Sequence, residues 1–158
     1  MKMYYRKYIP ILFLLASILF SCGKGETFPS IPAITFVSFT PNQDSAQFIF
    51  SFTDGEGDIG LNDADTAKPF DYNCFIRYYE KTDGVFKEVI PAIPFNYRIP
   101  YVNKGRARPT QGEVKISVSP YYYNPFSDND TIRLDLYIVD RALNKSNTIS
   151  TPELLKPR

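Results

Sequence analysis

The sequence predicts an all-β fold, a single antiparallel β-sandwich of about seven or eight strands, on three observations. Apolar and polar residues alternate with period two, turn-forming residues recur at short intervals, and no stretch after residue 22 sustains an apolar stripe of helical period. Phe48, Phe50 and Phe52 alternate with Gln47, Ile49 and Ser51. Val114, Ile116 and Val118 alternate with Glu113, Lys115 and Ser117, and Ile132, Leu134, Leu136 and Ile138 with Arg133, Asp135, Tyr137 and Val139. Successive side chains of a strand point to opposite faces, so each run gives one face to a core. "YNCFIRYYEK" (72–81) is apolar on both faces and suits a central strand; "AITFVSFT", "VFKEVI", "FNYRIP" and "NTIST" complete the set. The turns are supplied by Pro41-Asn42, Asp54-Gly55, Asp83-Gly84, Pro91, Pro94, Lys104-Gly105, Gln111-Gly112 and Asn124-Pro125. "DADTAKPF" has room for one helical turn, which Pro69 stops.

The chain opens "MKMYYRKYIPILFLLASILFSC". Lys2, Arg6 and Lys7 precede an apolar run from Ile9 to Phe20, too short to cross a bilayer as a helix. Leu19-Phe20-Ser21-Cys22 resembles the lipobox of bacterial lipoprotein precursors, with Phe20 bulkier than the family's usual residue. The resemblance implies that residues 1–21 are a lipoprotein signal peptide and that Cys22 becomes the acylated, palmitate-bearing N-terminus. It implies a bacterial outer-membrane location, with the membrane as a partner through the lipid. Each buried methylene of such chains contributes about 0.8 kcal/mol, so several chains anchor far more durably than one. Residues 22–31, with Gly, Pro and Ser, then read as a tether, and residues 32–158 as the sandwich domain. Lys24 and Glu26 resemble the charged export signal of surface lipoproteins in Bacteroidota, and both membrane faces stay open.

Removal of the leader leaves about 137 residues, enough for one domain with a core of its own. It also takes three of 18 basic residues against 17 acidic ones, leaving a net charge near −2 and no basic excess to attract nucleic acid. Cys74 is the single thiol besides Cys22, so no internal disulfide supports the fold once Cys22 is acylated. Mid-strand, it reads as a small buried hydrophobe. The absence of histidine removes Ser-His-Asp, Cys-His and histidine-ligated metal sites together.

Short strands at this spacing favour a sandwich of immunoglobulin or fibronectin-III type. "LYIVDRALNKSNTI" (136–149) resembles the closing hairpin of bacterial immunoglobulin-like domains, an apolar strand ending in Asp, a turn with Asn, and a return through Ser. With the lipobox and "FTDGEGDIG" (52–60), the mature chain resembles small Bacteroidota lipoproteins without an assigned activity. That resemblance speaks to fold and address, and implies a non-enzymatic binding or structural role in the cell envelope.

"FTDGEGDIG" contains G-x-G-x-x-G, but a dinucleotide turn must open a helix whose N-terminus meets a pyrophosphate. No helix follows Gly60, and Asp54, Glu56 and Asp58 would repel the anion. Calcium suits the loop better, because hard cations take several carboxylate oxygens. Counting Asp54 as position 1, carboxylates fall at 1, 3, 5 and 12: Asp54, Glu56, Asp58 and Asp65. This is not an EF-hand, since Gly60 stands at 7 rather than 6, Asp65 replaces Glu, and no helix precedes the loop. In an immunoglobulin-like topology with Phe48–Thr53 as strand B and Thr131–Asp140 as strand F, the B–C and F–G loops share one end. Asp140 and Asn144 then approach the loop, and a Ca2+ set of Asp54, Glu56, Asp58, Asp65 and Asp140 follows. The competing reading is a solvated turn neutralised by Lys104, Arg106 and Arg108 through ion pairs.

"SPYYYNPFSDND" (119–130) is the other notable stretch. Tyr121, Tyr122, Tyr123 and Phe126 beside polar residues suit stacking on a glycan or anchoring another envelope protein; equally, they suit covering the sandwich edge. Function therefore divides between a structural or binding module, a calcium-dependent recognition module, and, least favoured, a small hydrolase working through paired carboxylates.

Overall fold

Residues 27–101, 108–122 and 127–157 are described by the structure, a computed structural model. The leader and the first half of the expected tether, residues 22–26 with Cys22, lie outside them. Among the described residues nine strands run β1 Ala33–Asn42, β2 Ser45–Asp54, β3 Cys74–Thr82, β4 Val85–Val89, β5 Phe95–Tyr97, β6 Thr110–Val118, β7 Thr131–Ile138, β8 Ile149–Ser150 and β9 Leu154–Leu155. One antiparallel sheet has the order β1-β2-β6; the other has β4-β3-β7-β8, with β5 also pairing β3 and β9 also pairing β7. This is an all-β sandwich, with β2 central in one sheet and β3 and β7 central in the other.

The alternation read from the sequence is what closes the core. Ala46, Phe48, Phe50 and Phe52 of β2 point inward against Cys74, Ile76 and Tyr78 of β3 and Ile132, Leu134, Leu136 and Ile138 of β7. Phe48 meets Phe36 and Phe39 edge-on at centroid distances of 5.8 and 5.6 Å, the favoured geometry for aromatic pairs. β3 lies between β4 and β7, which accounts for its apolar character on both faces: outward Phe75 stacks on Tyr137 at 5.2 Å. The Asp83-Gly84 turn joins β3 to β4 with φ of 52° and 78°, the left-handed pair that a tight hairpin requires.

Three details depart from the sequence reading. "FNYRIP" pairs over only three residues, because the Asn73 amide takes over the next contact, accepting from Ile99 N at 2.7 Å. "NTIST" shrinks to two residues as Pro152 interrupts the edge, and pairing resumes at Leu154. "DADTAKPF" forms a turn, with Phe70 N donating to Ala67 O at 2.9 Å, and no helix. Cys74 is fully buried, and burial pushes its thiol up to about 12, as a packed hydrophobe requires.

At the pole bearing the β1–β2 and β3–β4 hairpins, the end of β3 carries Glu80 inward, 4% exposed. Burial acts to raise its pKa. Hydrogen bonds from Ser127 Oγ (2.6 Å) and Asn129 Nδ2 (3.3 Å), with the Lys156 ammonium at 3.3 Å, outweigh that and hold it below the ordinary glutamate value. Lys156 thereby ties the C-terminal segment to the sandwich. For the core itself, Phe50→Ala is expected to cost about 3–5 kcal/mol in a denaturant unfolding experiment; a loss under about 1 kcal/mol would contradict its place between the sheets.

Candidate metal centre at the Asp54 pole

The pleat that turns Phe48, Phe50 and Phe52 inward does the same to Asp54, the last residue of β2, which is fully buried. Across the sandwich Ile138 closes β7 opposite Cys74, and Asp140 follows at 2% exposure. The chain leaving β2 must therefore turn beside Asp140. Gly57 and Gly60 make that turn with φ of 67° and 114°. Gly60 has a steric reason too: a Cβ there would lie 2.5 Å from Tyr101 Cα and 2.6 Å from Pro100 O. The close approach lets Leu61 N donate to Ile99 O at 2.9 Å and Tyr101 N to Leu61 O at 3.0 Å, while Ile59 enters the core.

This path brings Asp58 back onto Asp54. The Asp58 amide donates to Asp54 Oδ2 at 2.9 Å. From the facing turn, Ala142 N donates to Asp58 Oδ2 at 3.1 Å. Asp140 shapes that turn itself, accepting from Asn144 N at 2.7 Å and Asn144 Nδ2 at 2.9 Å. One carboxylate oxygen from each of Asp54, Asp58 and Asp140 then lies within 4.8 Å of the other two. Asp54 Oδ1 and Asp58 Oδ1 are buried and have no hydrogen-bond partner.

The electrostatics follow from that crowding. Burial is the largest influence on Asp54 and raises its pKa; the amides of Asp58 and Gly57 oppose it, and the Asp140 charge reinforces it. Asp58 is raised by burial and then by Asp140 and Asp54, against the Ala142 amide. Two carboxylates that resist ionising, Asp54 and Asp58, with an orphaned oxygen on each and Asp140 beside them, form an all-oxygen donor set. Hard cations such as Ca2+ take such sets, whereas zinc favours nitrogen and sulfur.

Of the five expected calcium ligands, three converge. Glu56 is exposed and stands outside the cluster. Asp65 is also outside: it is bound by Arg141 Nη1 and accepts from Asn62 N at 2.8 Å, and the Arg141 hydrogen bond holds its pKa below the ordinary value. Counting along the loop assumed one continuous curl, but the turn at Gly57 and Gly60 diverts the chain before residue 65. The ion pair at this pole thus comes from Arg141 rather than Arg108; Lys104 and Arg106 lie outside the described residues. Arg141 also sits over the rings of Phe70 (5.2 Å) and Tyr101 (5.9 Å). Sequence reasoning missed it, although a cation directly after Asp140 in the same turn was the available signal.

The tyrosine stretch divides similarly. Tyr121 is 3% exposed and packs edge-on against Phe39 at 5.7 Å, so its ring belongs to the core rather than to a ligand. Tyr122 donates to Asp44 Oδ1 at 2.8 Å and lines a cavity of about 380 Å3 with Ile93, Phe95, Tyr97 and Pro120. Tyr123 and Phe126 lie outside the described residues.

No protein-family model, curated protein or solved structure matches the chain.

The raised values of Asp54 and Asp58 fix a pH trend. The folded protein holds protons that the unfolded chain has released, so these groups contribute stability below the unfolded carboxyl pKa and lose it as pH rises through the raised folded values. In EDTA, wild type should therefore gain stability relative to Asp54→Asn as pH falls from 7 towards 4. Unfolding free energies of the two proteins check this, and a pH-independent difference would contradict the buried, uncompensated carboxylate.

Proposed function

We propose that this protein is a lipid-anchored, non-enzymatic β-sandwich of the bacterial outer membrane that binds a divalent cation, Ca2+ by the chemistry of its donors, at the Asp54 pole. The observation that carries the reading is Asp54 Oδ1: a carboxylate oxygen fully removed from solvent, without a hydrogen-bond donor, beside Asp58 and Asp140. An unsatisfied buried charge costs several kcal/mol unless a partner of opposite sign is supplied. Arg141, the nearby cation, is engaged by Asp65. A Ca2+ ion supplies the charge and accepts the six to eight oxygens that carboxylates, backbone carbonyls and water together provide.

The cation's role in this reading is to weld two loops. Asp54 ends β2, Asp58 stands on the β2–β3 connection and Asp140 on the β7–β8 turn, so one ion links residues up to 86 positions apart in sequence. That makes a rigid pole on a domain whose composition offers no histidine-based catalysis. Lipidation at Cys22 is supported by the basic start, the short apolar run and the terminal Ser21-Cys22. A partner, another envelope protein or a glycan, is supported by the aromatic cavity bounded by Tyr122, Phe95 and Tyr97, whose rings suit stacking.

Titration calorimetry should show one Ca2+ bound per chain, with Asp54→Asn and Asp140→Asn each weakening affinity at least about tenfold, and thermal melts rising with Ca2+ as a native-state ligand requires. Binding unchanged in both variants would sink the site. Separately, the full-length chain should partition into detergent and Cys22→Ser into the aqueous phase; equal partitioning would refute the anchor.

A further inference from the structure

The segment leading into β1 is fastened to the same two loops that carry the acidic trio. Pro29 O accepts from Gly55 N at 2.8 Å, and Gly55 directly follows Asp54. The approach is so close that a Cβ on Gly55 would collide with the carbonyl oxygens of Phe28 and Pro29. Farther along, Pro32 is fully buried, and the Asn147 amide clamps Ile34 on both sides, accepting from its N and donating to its O at 2.8 Å each. Asn147 lies on the strand-ward side of the turn that carries Asp140. These fastenings differ in strength. Asn147 and Pro32 hold from residue 32 onward independently of any ion, whereas exposed Pro29 is held through Gly55.

We propose that cation occupancy at Asp54, Asp58 and Asp140 latches the membrane tether to the sandwich at Phe28–Pro29. The inference rests on the cation reading above. With the ion bound, Asp54 and Asp58 are drawn together and Gly55 is held where its amide meets Pro29. Without it, nothing draws the carboxylates of the two loops together, the loop relaxes, and Gly55 loses its register with residues 28 and 29. The consequence is a change of reach. Six residue steps separate Cys22 from Phe28 and ten separate it from Pro32, so release lengthens the span available to the anchor from roughly 20 Å to roughly 35 Å at full extension. A latched domain is confined to the shorter reach, and a released one ranges farther.

The test is amide hydrogen exchange resolved at Gly55 in the full chain, with calorimetry on the same sample. In millimolar Ca2+ the Gly55 amide should exchange at least about fivefold more slowly than in EDTA, and Asp140→Asn should abolish the difference. Calcium bound by calorimetry with Gly55 exchange unchanged overturns the latch and leaves the site standing; no calcium bound overturns the site. A second variant tests the coupling from the other side. Gly55→Ala expels the Phe28 and Pro29 carbonyls, and because coupling is reciprocal, calcium affinity should fall by about the factor that calcium gains in docking. Unchanged affinity in a cooperatively folded Gly55→Ala protein overturns the coupling.

Discussion

A strand has only two faces, and β2 cannot choose which of them receives its last residue. The pleat that buries Ala46, Phe48, Phe50 and Phe52 between the sheets buries Asp54 as well, because all five share one parity. Shifting Asp54 outward by one register step would expose every phenylalanine. The core thus holds a carboxylate in place that it does not itself satisfy. The rest of the pole is a response to it: the Asp58 amide turned back to Asp54 Oδ2, and the loop glycines that allow that turn.

The response is incomplete within the described residues, and its incompleteness is informative. Coulomb energy between two unit charges near 5 Å is on the order of 3 kcal/mol at an effective dielectric of about 20, and Asp140 accordingly reinforces burial in raising Asp54 and Asp58. Arg141 stands next to Asp140 in sequence, yet its guanidinium is engaged by Asp65 and by two aromatic rings. The opposite pole solves a similar problem differently. Glu80 is equally buried by the parity of β3, but Lys156, Ser127, Asn129 and the Tyr78 hydroxyl satisfy it with protein groups alone. Two buried acidic groups close the two ends of one sandwich, one supplied with a counter-charge and one not.

The outward face of the second sheet shows where charge in this protein is ordinary. Arg77 lies 3.9 Å from Glu88, Arg133 pairs with Asp135 at 2.9 Å, and Lys81 with Glu153 at 2.6 Å. Apart from Asp135, which is buried, these side chains are exposed or half-exposed, and such surface pairs contribute little individually. They also lie over Tyr79, Phe86 and Tyr137, so the cations cover aromatic surface that would otherwise face water. Against that background of locally matched charges, the unmatched oxygens of Asp54 and Asp58 stand apart.

Period-two alternation made the strands, their inward faces and the central place of β3 legible from residues alone, because burial parity is a local property of an extended chain. Asp54 continues the parity of three phenylalanines, a signal left unused by a strand reading that stopped at Thr53, whereas the approach of Asp140 followed once the strands were placed in a sandwich. Which carboxylates converge was not legible. Asp65 satisfies a spacing rule and Glu56 an alternation rule, but a loop has no fixed period, and here the glycine turn at 57 and 60 sends residue 65 to Arg141 instead. Tyr121 and Tyr122 are neighbours of one chemistry, yet one closes the core and the other lines a cavity, a division set by packing against Phe39 and Asp44. Local sequence thus states what each residue must do with its side chain in a strand; pairing across 86 positions determines whose charge it meets when the strand ends.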